Sequence, residues 1–443
     1  MRALTRLGLI GLAAGSLYTH SALAAVEIDQ LPYIADQAGE TYVLSRDLSV
    51  GSGRAITIRA DNVVIDGQGH TLTYADRGAG NGVYVDYPVS SLEIKNLTLK
   101  QGRHEPRSGE DSHAIVATGN HRGLNIHDNT ILISRGGAQS GAYAWGMRLG
   151  GNSQRSWGNR IAYNTIELST TSAGYGISLD PNARWQGQIH GNTIRLARMD
   201  RQPAGYGRAI ALSGRGPVEI SDNTIELAAD VGQAQAISLW GGSGHIIRNN
   251  TIEAASYKTR AILIDGNSDD NRVLDNKIRM NNQRNGNEAS AGIRIRYGSD
   301  NTMVYRNDID VSEGNYTIGL RIGESGGYGV PRNTIVRDNR IRSQMRAISV
   351  ESGSDVVFYN NVAETTGPEW TYALYAYASS KLRFNHDRFQ GSVRLSNGSR
   401  DISFCATGLQ SSDINGTGYE LSAKDCGYPA KDVPVAPAGL AAH

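Results

Sequence analysis

The chain has 443 residues, a formal net charge of +1 and 20% charged residues. That balance excludes the dense positive charge with which nucleic acid or an anionic membrane surface is bound. Glycine is abundant at 53 residues and proline scarce at 11, which suits tight turns between strands that must all donate hydrogen bonds.

Residues 1–24 have the pattern of a secretory signal. Arg2 and Arg6 form the charged start, Leu7 to Leu17 an apolar stretch, and Ala22-Leu23-Ala24 a small-x-small cleavage site. The apolar stretch is too short to span a bilayer. Its removal takes Lys+Arg from 44 to 42 against 43 acids, a net charge near −1. The expected location is the periplasm or the cell exterior, with no membrane insertion after signal removal. Residues 25–60 are expected as an N-terminal cap, 61–400 as the repeating body and 401–428 as a C-terminal cap. Residues 429–443, with Pro434 and Pro437, have the composition of a disordered tail. Cys405 and Cys426 lie beyond the repeats, and a disulfide between them suits an oxidising compartment.

The body is a repeat. Asn-Thr-Ile-Glu-Leu stands at Asn164 and Asn223, Asn-Thr-Ile-Arg-Leu at Asn192, and looser copies at Asn129, Asn250, Asn276, Asn307 and Asn339. The intervals are 35, 28, 31, 27, 26, 31 and 32 residues, enough for three short strands and three turns. Between copies a small residue precedes alternating apolar positions, as in Gly176-Ile-Ser-Leu179 and Ala236-Ile-Ser-Leu239. A period of this size without leucine-rich or Trp-Asp signatures predicts an all-β parallel β-helix of roughly ten coils. Ile and Leu point inward, and the asparagines stack in one turn column, each tolerating the left-handed conformation.

With these phrases, and with Tyr42-Val-Leu44 and Val64-Ile-Asp-Gly67 at its opening, the chain resembles the right-handed parallel β-helix proteins of the pectate-lyase-like superfamily. The resemblance covers roughly residues 40 to 400. It implies action on, or binding of, acidic polysaccharide by a lyase, hydrolase or epimerase. Tyr175-Gly-Ile-Ser-Leu-Asp-Pro-Asn182 weakly resembles the Asp-Pro-His motif of mannuronan C5-epimerases. Asn182 stands where the histidine would be, so that activity is not carried over.

Strand alternation gives candidate site residues. If Ile and Leu face inward, the residue between them and the one after Leu face outward. The first outward column contains Arg148, Arg294, Arg321 and Tyr375; the second contains Asp180, Trp240, Asp265, Arg296, Glu351 and Tyr377. Insertions at 198–206, 281–291 and 364–372 are expected to wall this face into a groove. Arg294 and Arg321 fall on adjacent coils with no acid between them, and Asp265 is within reach of Arg296. Asp265, Arg294 and Arg321 are the candidate catalytic residues. Arg148, Asp180, Trp240, Arg296, Glu351, Tyr375 and Tyr377 are the candidate substrate contacts, the guanidinium groups for carboxylates and the aromatic rings for sugar faces. The competing assignment is an ordinary ladder of salt bridges on a solvated sheet.

Chemistry at a uronate C5 needs a carboxylate neutraliser, a base and an acid. No base is identified: alternation points His113 inward, and His104 lies in a polar loop with Glu105, Glu110 and Asp111. A hydrolase is disfavoured, because Asp180, Asp265 and Glu351 are three coils apart, about 14 Å, too far for a carboxyl pair. Ca²⁺ near Asp265, Asp269 and Asp270 lacks any calcium-loop spacing, so the cofactor stays open. The expectation is a monomeric, exported lyase or C5-epimerase for a uronate-containing polysaccharide. The alternative is a non-catalytic β-helix that binds such a polymer or assists its periplasmic export.

Overall fold

The computed structural model describes residues 25–427 except 108, 136–142, 151–154, 171–172, 182, 200–205, 229–232, 257, 282–289 and 325–328. The expected signal segment, the tail, Asn182 and most of the 198–206 and 281–291 insertions lie outside the described residues. What is described winds into three sheets of 16, 13 and 15 strands, in each of which every strand pairs parallel with its counterpart one coil away. This is the right-handed parallel β-helix expected, with more rungs than ten. Pairing begins at Val26–Ile28 and ends at Tyr419–Ser422, so strands of residues 25–60 and 401–428 pair in parallel with the rest. Cys405 and Cys426 are bonded and tie the last rung down.

Each sheet contributes inward columns. In the 13-stranded sheet Ile131, Ile166, Ile194, Ile225, Ile252, Ile278, Ile309 and Ile341 are consecutive register partners. All are fully buried. In the 16-stranded sheet the β-branched column gives way near the C-terminus to Phe358, Phe384 and Phe404, stacked with centroids 4.4 and 5.0 Å apart. Parallel sheets in a solenoid bury their inner faces continuously, and this is why the apolar phrases repeat so strictly.

The asparagine column forms at the turn between the 16- and 13-stranded sheets. From Asn129 to Asn339 each Nδ2 donates to the next Oδ1 at 2.9–3.0 Å. Each backbone N–H donates to the same oxygen, as Asn223 does to Asn250 at 3.0 Å. The left-handed conformation belongs to the preceding residue, not to the asparagine: Asp128, Asp222, Asn249, Asp275 and Asp338 have φ of 54–57°. The asparagine supplies the hydrogen bonds that a buried turn would otherwise lack.

Candidate functional site

The site lies on the outer face of the 15-stranded sheet. The expected register is present: Ser238, Leu263, Arg294, Arg321, Ser349 and Tyr375 are consecutive partners. A third outward column was not expected. It runs His113, Trp145, Tyr175, Arg208, Gln235, Arg260, then Ala291, Ile318, Arg346 and Tyr372. The reason is a break in alternation at the small residue before the inward Ile. That residue also faces the core: a Cβ on Gly176 would lie 3.1 Å from Ile194 Cγ2, and one on Gly319 2.2 Å from Ile341 Cγ2. Two successive inward positions turn the residue before them outward. His113 therefore joins the outer face, stacked on Trp145 at 5.9 Å, and is not an inward residue as strict alternation had it. Burial pushes it down to about 3, so it is neutral.

Three columns together enclose a cavity of about 600 Å³ lined by Arg208, Gln235, Arg260, Arg294, Arg296 and Arg321, with Asp265, Glu324, Tyr297 and Trp240. Five arginines face two carboxylates there. Arg294 and Arg321 are direct register partners with no acid between them, but acids from other positions accompany both. Glu324 accepts from Arg294 at 2.8 Å and from Arg296 at 3.0 Å. Glu351 accepts from Arg321 at 2.7 Å and from Arg346 at 3.1 Å. Glu324 was missed because it follows the strand, beyond Gly323, whose φ of +82° turns the chain back over the preceding coil.

Burial sets the electrostatics. Arg294 is only 3% exposed, and burial, with Arg321 and Arg260 beside it, pushes its guanidinium down to about 10. Burial works against ionisation of Glu324, but Arg294 and Arg296 hold it below the usual carboxylate range. Asp265 is fully buried, and burial pushes it up against the pull of Arg296, to which it is bonded at 2.7 Å. It also accepts from the Gly266 N–H at 2.8 Å. Asp265 therefore orients Arg296 from within the cavity lining. The Nε atoms of Arg294 and Arg321 and the Oε1 of Gln235 are buried without a hydrogen-bond partner. A surplus of desolvated donors is costly unless an acceptor completes it.

The other candidates lie along the same face. Trp240 is 52% exposed at the cavity rim. Tyr375 and Tyr377 sit three rungs beyond Arg294, about 14 Å, with Arg346 stacked over Tyr375 at 3.9 Å. Arg148 and Asp180 bind each other at 3.1 Å, at least four rungs (about 19 Å) from Arg294, and so lie outside the cavity. His104 pairs with Glu110 at 3.0 Å in its own loop. Asp269 and Asp270 accept hydrogen bonds from the Asp300 N–H and the Asn301 amide of the next turn. Among the described residues no group of three or more His, Cys, Asp or Glu is placed to hold a metal ion. A solvated charge ladder is also present on the 13-stranded sheet. There Glu167, Arg195, Glu226, Glu253, Arg279, Asp310, Arg342 and Glu364 are register partners. They form exposed pairs of small energetic weight.

Residues 208–406 match the family model described as a right handed beta helix region. No curated protein sequence matches the chain. Among solved structures the chain is similar to a PL6 alginate lyase in complex with a trisaccharide, at 13% identity, 76% of this chain, 79% of that one and a TM-score of 0.47. It is similar to the A-module of the Azotobacter vinelandii mannuronan C-5 epimerase AlgE4, at 14% identity, 77% and 88% coverage and a TM-score of 0.37. A mutant of the periplasmic alginate epimerase AlgG gives 16% identity, 84% and 78% coverage and a TM-score of 0.40.

Proposed function

We propose that this right-handed parallel β-helix protein binds a uronate-containing polysaccharide along its 15-stranded sheet and acts on it as a lyase or C5-epimerase. One observation carries the reading: a cavity with five arginines and two carboxylates, in which buried guanidinium nitrogens lack acceptors. A guanidinium stays charged and offers carboxylates a planar fork. Arg294 and Arg296 would take one uronate carboxylate, and Arg321, one rung on, that of the next sugar. Neutralising a carboxylate makes the C5 proton easier to remove, because charge delocalised into the carboxylate is then stabilised. A base removes that proton. Expulsion of the C4 oxygen with its electron pair leaves an unsaturated sugar, whereas reprotonation from the other face inverts C5. Tyr297, whose phenol accepts from Arg296 at 3.3 Å, and Glu324 are the proton-transfer groups beside the arginines. The pattern of residues 1–24 and the disulfide support export to the periplasm or beyond.

A second reading, binding without chemistry, is favoured by one feature. Burial holds Tyr297 above its ordinary value while Glu324 is held below its own, so neither is set to take a proton in the unliganded protein. The test is a panel of alginate, polymannuronate and polygalacturonate. A lyase raises ultraviolet absorbance as the unsaturated sugar forms, an epimerase changes C5 stereochemistry by NMR, and a binder only retards the polymer in a gel. Failure to bind any polyuronate would overturn both readings.

A further inference from the structure

We propose that Glu324 is the specificity-determining residue of this cavity. It is an internal carboxylate that fills the arginine fork, refuses single uronates and other small anions, and yields to a polymer that spans several coils. The inference rests on the polyuronate reading above.

The two acids of the cavity differ in kind. Asp265 is fully buried and fixed by Arg296 and a backbone N–H. Glu324 is 25% exposed and stands at the mouth, with Oε1 on Arg294 at 2.8 Å and Oε2 on Arg296 at 3.0 Å. Its two oxygens thus bridge two arginines, as a uronate carboxylate would. It reaches them from the end of the strand Thr317–Gly323, and the backbone there is committed to that turn: a Cβ on Gly323 would lie 1.9 Å from the Glu351 carbonyl oxygen. Glu324 therefore competes from a short tether.

A tethered group acts at an effective concentration in the millimolar range, on the order of what a free monosaccharide would need to exceed. A single uronate offers the same two oxygens as Glu324 and gains nothing by the exchange. A polymer lying along the axis adds contacts at Arg321 and Arg346, one and two rungs farther on, whose Nε atoms are unpartnered beside their bonds to Glu351, and these offset the displaced glutamate. Coil spacing is about 4.8 Å, so neighbouring sugars of an extended chain meet neighbouring rungs. Glu324, once displaced, is released toward solvent at the mouth, which keeps the exchange from burying an unpaired charge.

The experiment is calorimetry of the full protein, wild type, Glu324→Gln and Glu324→Ala, against galacturonate, trigalacturonate and polygalacturonate, and against the matching mannuronate series. Thermal melts of each variant confirm an intact fold. Wild type should bind with affinity rising steeply with length. Both variants should gain about tenfold or more for monomer and trimer and markedly less for polymer, flattening the length dependence. A loss of affinity at every length would overturn the proposal and make Glu324 a support for the arginines. A uniform gain at all lengths would overturn it as well, leaving only a change in net charge. If wild type and both variants bind no uronate of any length in either series, the polyuronate reading itself fails, and that outcome is distinct from the other two.

Discussion

Asp387 stands where the asparagine column ends. Its Oδ1 accepts from the Asn361 backbone at 2.8 Å and from the Asn361 amide at 2.7 Å, and its Oδ2 accepts from the Asn385 N–H at 3.0 Å. An inner asparagine must also donate onward; the terminal member need only accept, and a carboxyl does that. Burial pushes the group up to about 7, against the three N–H donors. Between the ordinary carboxylate value and about 7 the folded chain holds a proton that the unfolded chain has released. The stabilisation from this group is therefore fully present below the ordinary value, falls as pH rises, and is lost once pH passes the folded value. Carbon-detected NMR should find Asp387 titrating near neutrality, and a side chain still ionised at pH near 5 would reject the account. At the same scale, Arg321→Ala should weaken polyuronate binding by about 1–3 kcal/mol and leave neutral glycans as weakly bound as before. Calorimetry showing equal affinity of wild type and variant for every polymer would assign Arg321 to its pair with Glu351 alone.

Ile225 shows what a single strand contributes. It is fully buried between its register partners Ile194 and Ile252. Neighbouring rungs hold the backbone on both sides, so the coil cannot collapse into a void. Ile225→Ala should cost about 2–5 kcal/mol, read as a lowered urea midpoint with little change in slope. An unchanged midpoint would mean that the column is not packed as described. The strands of the 15-stranded sheet add a different lesson. Their small residue before the inward Ile is a condition of the site, because its inward turn releases Arg208, Arg260 and Arg346 to the outer face. A charged residue two positions before an inward Ile is a sequence signal for this break, since a core could not hold it unpaired.

Across the whole molecule, stability is close to a sum of rungs and rung-to-rung interfaces, so the ends are its weak points. The Cys405–Cys426 bond, 21 residues apart in sequence, closes one of them. Reduction should lower stability by about 3 kcal/mol on the chain-entropy account, with the loss concentrated in the last rungs. Hydrogen exchange with and without reductant would show it as early exchange at Arg400–Cys405 and Tyr419–Ser422. Equal protection in both states would place the weakest point elsewhere. Two faces of the solenoid also divide the charge. The 13-stranded sheet carries exposed charge pairs, while the 15-stranded sheet gathers arginines into one open-mouthed cavity.

The inward columns, the asparagine ladder and the register of Arg294 on Arg321 were legible in the sequence, because a repeated coil writes its period directly into the chain. Trp240, Arg296 and Asp265 were placed on one face for the same reason. What the period could not convey lies where the repeat is broken. Arg208, Gln235 and Arg260 entered the cavity through a change of alternation at one small residue. Glu324 entered through a turn after Gly323, and both depend on which backbone lies across the fold. Burial was equally a tertiary matter: only when coils stack does Asp265 lose its contact with water and become an anchor for Arg296. Alternation decides which way a side chain points, but the neighbouring coils decide what it meets and how much solvent screens the charge.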